Sequence, residues 1–274
     1  MSAILRISAA ITKFSRAATA FLVFALLTTA AGVASAQTIA ELQARKKIVI
    51  GVLVDFPPFG IMNTEGKPDG LDIELAKLMA KNLGVEAEIM PVVNANRIPF
   101  LQSKRIDVLV ASLGVTSERA RQVMFTIPYA AVDVVIAAPK KVQLSKIEDL
   151  MNVSVAVARG SSQEGYVSSI APKGAKIQRF DGDGPATQAM LTGQVDALAQ
   201  NTLMLKSIKD VNPGLDIENK IVLRRQGNSI AVRLDAFELH QWINTFLYQI
   251  RMTGELDALH KKWLGETLGE LGAF

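Results

Sequence analysis

The chain has 274 residues, 49% of them hydrophobic and 20% charged, with a formal net charge of +4 and no cysteine. That length supports a sizeable core, and the missing cysteine excludes disulfides, a thiol nucleophile and thiolate metal sites. Arg6, Lys13 and Arg16 supply most of the positive excess within an acid-free first segment, so the remainder is near neutral and lacks the basic footprint that nucleic acid or an anionic membrane requires.

Residues 1–36 have the form of a secretory signal. Three basic residues precede the uncharged run Ala17–Ala31, and Ala34-Ser35-Ala36 is an A-x-A cleavage site. The run is short for a membrane span, which needs about 20 apolar residues. A cleaved leader and a periplasmic protein are expected.

After the leader, Ile48–Val54 is apolar on both faces, as in a strand covered by helices on each side. Asp72 is expected to cap a helix carrying Leu75, Leu78, Met79 and Leu83 and ending at Gly84. A strand over Val85–Val92, a short helix over Arg97–Ser103 and a strand over Asp107–Ala111 follow. Val132–Ala138, Val153–Val157, Ile177–Phe180 and Val195–Ala199 read as further strands, with helices from about Gln163 and near Ala186–Leu191. Beyond Gln226-Gly227-Asn228 come a short strand, Ser229–Val232, a helix capped by Asp235 and running to about Met252, and a helix over Leu256–Trp263. Strands alternating with helices predict open α/β sheets. His240 and His260 have no second ligand at metal spacing, so neither a metal nor an organic cofactor is expected.

The chemistry concentrates in Ala111-Ser112-Leu113-Gly114-Val115-Thr116-Ser117-Glu118-Arg119. Small residues at a buried strand end leave room for a ligand, and Thr116 is a natural N-cap whose turn would present free N–H groups. Glu118 suits such a turn, whereas Arg119 opposes the helix dipole by about 0.3–1 kcal/mol. Its guanidinium is therefore expected to serve elsewhere, and its fork matches a carboxylate.

This segment with Gln122–Tyr129, together with Val52–Phe59, Gly70–Ala76, Ile98–Leu101, Gly193–Ala197 and Gly254–Gly265, resembles the bacterial extracellular solute-binding proteins of family 3, the polar-amino-acid receptors of ABC importers. The resemblance implies a two-lobed, type II periplasmic-binding-protein fold. Each lobe is an open α/β sheet, and two strands form the hinge. Lobe I would comprise 37–131 and 229–274, and lobe II 132–228, with crossings near Ala130–Asp133 and Gln226–Ser229.

The same resemblance implies a ligand site. Arg119 would clamp the α-carboxylate, Ser112 and Gly114 would offer backbone groups to the α-carboxylate and α-ammonium, and Phe56 would form an aromatic wall. Ser161 and Ser162 resemble a Gly-Thr-Thr turn that closes from the second lobe; an ordinary helix cap is the other reading, and both can hold together. Asn94-Ala95-Asn96-Arg97-Ile98-Pro99 resembles the segment by which glutamate/aspartate-type receptors hold a side-chain carboxylate; a solvated surface arginine is the alternative for Arg97. Asn201 stands where the family carries an acid that pairs with the ligand ammonium, which leaves ammonium recognition open.

The expected protein is a monomeric, non-enzymatic receptor for a polar or acidic amino acid or related carboxylate, delivering it to a membrane permease. An exported cyclohexadienyl dehydratase on the same scaffold is the alternative, with Glu164 as the candidate acid.

Overall fold

The computed structural model describes residues 37–269; the expected leader lies outside them. Helix α1 (Ile39–Arg45) opens with a Thr38/Glu41 capping box and leads into β1 (Lys47–Val52). A small antiparallel sheet follows, made of β2 (Asp55–Phe56), β3 (Gly60–Met62) and β4 (Pro68–Asp69). Helix α2 (Leu71–Leu83) buries Leu71, Leu75, Met79 and Leu83 at helical spacing and stops at left-handed Gly84. Its N-cap is Gly70, not Asp72 as the sequence suggested. Asp72 is wholly buried because its carboxylate is spent on tertiary partners rather than on the helix end.

The first parallel layer is completed by β5 (Glu86–Pro91), the short helix α3 (Arg97–Gln102) and β6 (Val108–Gly114). The second contains β8 (Val155–Ala158), α4 (Ser162–Ile170), β9 (Ile177–Phe180), α5 (Asp183–Leu191), β10 (Ala197–Asn201) and α6 (Thr202–Val211). Between them run two 16-residue strands, β7 (Met124–Pro139) and β11 (Ile217–Val232). All join in one sheet of order β5-β1-β6-β11-β7-β10-β8-β9, parallel at both ends and antiparallel in the middle. Helices α7 (Phe237–Met252) and α8 (Glu255–Leu264) return to the first layer, where α8 packs on α2 and α7 on α2 and β7.

The sequence reading saw only the ends of the two long strands. Gln226-Gly227-Asn228 read as a break, and Pro128 lies ahead of the strand expected over Val132–Ala138, yet proline is accommodated at a register shift, where a ladder N–H is not required. The shift between Asn228 and Ser229 falls where Ser229 faces Pro128. The two segments expected as crossings pair with each other, Ala130 opposite Asn228 and Val132 opposite Gln226. Helix α6 was also unforeseen; Asn201 caps it, accepting the Met204 N–H at 2.8 Å, and it buries Met204, Leu205 and Ile208. Asp235 does not cap α7, since its carboxylate pairs with Arg233 at 3.2 Å. Among the described residues no helix is long and apolar enough to cross a membrane.

Gly70 joins β4 to α2 at φ 124°, and a Cβ there would lie 2.4 Å from the Phe59 carbonyl oxygen. Gly70→Ala is therefore expected to lower unfolding stability by about 1–3 kcal/mol. Urea denaturation of the two proteins measures it.

Candidate functional site

The 3-10 turn Asn94–Asn96 delivers Arg97 as the first residue of α3, pointing inward and buried. Its Nη1 donates to the Ala111 carbonyl at 2.9 Å, its Nε to the Asn94 carbonyl at 3.3 Å, and its Nη2 to the Gly160 carbonyl at 3.3 Å. Arg119 lies on the turn after β6. Its Nη1 donates to the Gly114 carbonyl at 2.8 Å and its Nη2 to the same Gly160 carbonyl at 3.0 Å. Thr116 does act locally as a cap, since its hydroxyl accepts the Arg119 N–H at 3.2 Å and its carbonyl the Ala120 N–H at 2.9 Å. The Arg119 and Ala120 amides are thus taken by Thr116.

Among the described residues neither guanidinium forms an ion pair with a carboxylate; the arginines that do are Arg45, Arg159, Arg179, Arg225 and Arg233. Burial, followed by repulsion from Arg119, lowers the Arg97 pKa, and burial lowers that of Arg119. The two charges therefore face each other over one neutral acceptor. Gly160 can approach so closely because it is a glycine at φ 75°, whose Cβ would sit 2.7 Å from the Ala95 Cα.

Beneath this contact lies a cavity of about 10 Å³, room for roughly one water. Phe56, Asn94, Arg97, Ser112, Ser162 and Asn201 all line it, so six of the sequence-predicted site residues converge from distant segments. Arg119 and Ser161 instead line an adjoining groove of about 460 Å³, which Asn94 also reaches. Gly114 sits behind, with the Gln226 amide covering its α-carbon so closely that a Cβ would be 2.3 Å from Gln226 Cδ. Ser161 caps α4 by accepting the Glu164 N–H at 3.0 Å, so the cap reading holds for it.

Sequence reasoning missed several residues here. Gln163, Gln226 and Asn228 line the cavity, the last two lying where the sequence shows only a polar break between apolar runs. Two buried acids flank Arg97. Asp72 accepts the Tyr129 hydroxyl at 2.7 Å and the Ser112 hydroxyl at 3.0 Å. Asp183 accepts the Gln200 amide at 2.8 Å and the Asn94 amide. Asp55 reaches the start of α5, accepting the Asp183 and Gly184 N–H groups at 3.0 and 3.2 Å, where an anion complements the helix dipole. A polar residue inside an apolar helical stripe was the available signal for Asp72; nothing in the sequence singles out Asp183 or Asp55.

Burial raises the Asp72 carboxyl to about 7, against the pull of Tyr129 and Ser112, and the Asp183 carboxyl to about 6. The native protein thus holds protons that the unfolded chain releases near the ordinary carboxyl value of 3.8. Stability contributed by these groups is present below that value and is lost as pH rises through about 6 and 7. In urea titrations at pH 4, 5.5 and 7.5, the unfolding free energy of Asp72→Asn/Asp183→Asn, taken relative to wild type, is expected to rise with pH.

The family profile of "Bacterial extracellular solute-binding proteins, family 3" matches residues 48–266. The L-cystine-binding protein TcyJ of Escherichia coli (strain K12) is 27% identical over 228 residues, covering 82% of this chain and 85% of that protein. The ABC transporter glutamine-binding protein GlnH of Bacillus subtilis (strain 168) is 32% identical over 238 residues, covering 85% and 86%. Among solved structures, a mutant of ArgBP from T. maritima superposes with a TM-score of 0.78 at 32% identity, covering 84% of this chain and 100% of that one. The fold is the two-lobed, type II periplasmic-binding-protein fold, each lobe an open α/β sheet. With most of its length matched, the chain belongs to the bacterial extracellular solute-binding proteins of family 3.

Proposed function

We propose that the chain is the substrate-binding protein of an ABC importer, closing over a small carboxylate-bearing ligand, a polar or acidic amino acid, and handing it to a membrane permease. The observation that carries this reading is the pair Arg97 and Arg119, two guanidinium groups that share the Gly160 carbonyl without an ion-pairing carboxylate. A carbonyl satisfies their hydrogen bonds but neutralises neither charge. A ligand carboxylate does both, and its bidentate fit to arginine adds specificity. The names of the cystine-binding and glutamine-binding relatives support the same ligand class.

The lobes would be residues 37–131 with 229–274, and 132–228. An amino acid does not fit a cavity of about 10 Å³, so entry requires the halves to separate about the paired segments at Ala130 and Asn228. Phe56, Asn94, Ser112, Gly114, Ser161, Ser162 and Asn201 would then complete the site around the two arginines. The exported form would begin at Gln37, whose amide is tied to Asp107 at 2.7 Å and to Arg233 at 2.6 Å, and would act as a periplasmic monomer.

A receptor is favoured over a dehydratase by the state of Glu164. One of its carboxylate oxygens accepts the Gly160 N–H at 2.7 Å and the other pairs with Arg179 at 2.6 Å, which leaves it tethered rather than poised as a general acid.

Native mass spectrometry of the purified protein should reveal a small carboxylate, and calorimetry with it tests the clamp. Arg119→Ala is expected to weaken binding by about 30- to several-thousand-fold, the equivalent of roughly 2–5 kcal/mol for a desolvated charged contact, while the ligand-free melting temperature changes little. Unchanged affinity places the carboxylate elsewhere.

Closure makes a separate expectation. Saturating ligand should reduce the radius of gyration in solution scattering, and identical curves with and without ligand contradict a hinged receptor.

A further inference from the structure

The Gln37 side chain is buried where α1 begins, against two charged residues from distant parts of the chain. Its amide nitrogen donates to Asp107 Oδ1 at 2.7 Å, and its amide oxygen accepts from Arg233 Nη2 at 2.6 Å. Both partners are themselves buried. Asp107 stands just before β6 and also accepts the Val49 N–H of β1 at 2.9 Å; Arg233 stands just after β11 and also donates to the Ile106 carbonyl at 3.2 Å. Among the described residues Asp107 pairs with Arg45 and Arg233 with Asp235, not with each other. The neutral amide therefore bridges an anion and a cation, and hydrogen bonds to charged groups are the stronger kind. The backbone beside it is fixed as well. Thr38, next in the chain, caps α1, its N–H donating to Glu41 Oε2 at 3.3 Å and its hydroxyl accepting the Glu41 N–H at 3.2 Å.

A glutamine at the N-terminus of a chain has a reaction of its own. Its α-amino nitrogen, unprotonated, attacks the side-chain amide carbon Cδ. A C–N bond forms and closes a lactam ring, the Cδ–Nε2 bond breaks, and Nε2 leaves as ammonia with the proton that the α-amine gives up. No oxidant or co-substrate takes part. The step requires the side chain to fold back onto its own backbone. Here both atoms on Cδ are held by residues 196 and 70 positions away in the sequence, so ring closure requires both hydrogen bonds to break. The product has no side-chain NH2 with which to return to Asp107, and a buried carboxylate oxygen that loses its donor is costly.

We propose that Gln37 is a modification site that the fold closes. Once the leader is removed, Gln37 cyclises in a chain that has not folded, and the bridge to Asp107 and Arg233 blocks the reaction in the folded protein. The inference rests on the reading that export removes residues 1–36. A chain that folds promptly after export keeps its charged amine and its bridge; one that lingers unfolded is altered irreversibly, a chemical route by which unfolded chains are lost.

The test uses the protein recovered from the periplasm of a Gram-negative host. It is incubated at mildly alkaline pH, where the α-amine is partly unprotonated, in buffer and in guanidinium chloride. Peptide mass spectrometry then follows loss of ammonia from the N-terminal peptide. Folded wild type is expected to cyclise at least about tenfold more slowly than the denatured chain, because a reaction that needs local opening is slowed by the opening equilibrium. Arg233→Met removes the donor to the amide oxygen and, where its melting shows it folded, should bring the rate toward that of the denatured chain. Glutaminyl cyclase gives a readout that needs no variant: it should convert a synthetic peptide of residues 37–46 and leave the folded protein unconverted. Equal rates for folded and denatured wild type overturn the inference while the export reading stands. So do ready conversion of the folded protein by the cyclase, a folded Arg233→Met no faster than wild type, and recovery of protein already cyclised throughout. An N-terminus other than Gln37 overturns the export reading, and this inference with it.

Discussion

Two guanidinium groups meet at one carbonyl oxygen, and the arrangement of the rest of the site follows from that meeting. The Gly160 oxygen has two lone pairs and no net charge, so Arg97 and Arg119 are satisfied as donors there while their positive charges persist. In surroundings of low polarity such charges interact far more strongly than in water. The protein tempers this with Asp72 and Asp183, each of which attracts Arg97 without touching it. Neither acid is placed to quench the pair outright, which leaves the positive potential for something that arrives from outside.

The anchoring of the arginines is divided. On one side, Arg97 donates to Ala111 and Arg119 to Gly114, both carbonyls of β6, a strand buried along its whole length between β1 and β11. On the other, both reach the turn between β8 and α4. The first set of bonds lies within one rigid layer and fixes where the guanidiniums point, as a preorganised site requires. The second set spans two layers joined by β7 and β11, so it is the set that a separation of the layers would break. Once it is broken, the Nη2 donors of both arginines face the gap together.

The long strands explain how one chain builds a site from such scattered parts. Because β7 and β11 run through the middle of the sheet, residues from six separate stretches between 53 and 228 are brought to one cavity. Register shifts along the pair add local twist, and the stretch around Ala130 and Asn228 is also where the cavity residues Gln226 and Asn228 emerge. Under the proposed closure, bending and binding would share the same few residues, which is how ligand contacts act on a conformational equilibrium.

Much of this was legible in the sequence. The parallel strands, the helix closing at Gly84 and the Arg119 turn are local patterns, governed by apolar spacing and by the left-handed freedom of glycine, and family resemblance singled out Arg97, Ser112 and Asn201, which the fold brings to one cavity. What the sequence alone could not decide is what each polar side chain is spent on. Asp72 read as a cap because a cap is the local use of an aspartate before an apolar helix; only the fold brings Tyr129 and Ser112 to it and makes it a buried acid. Gly227 read as a break because its strand partner, Ala131, lies far away in the sequence. Gly160 lies just before the Ser161-Ser162 turn, and only the packing of that turn on Asn94 and Ala95 makes its carbonyl the acceptor for two arginines. Local structure depends on neighbours in the chain, whereas the partner of a buried charge depends on which surfaces meet, and that is settled only when the whole sheet has formed.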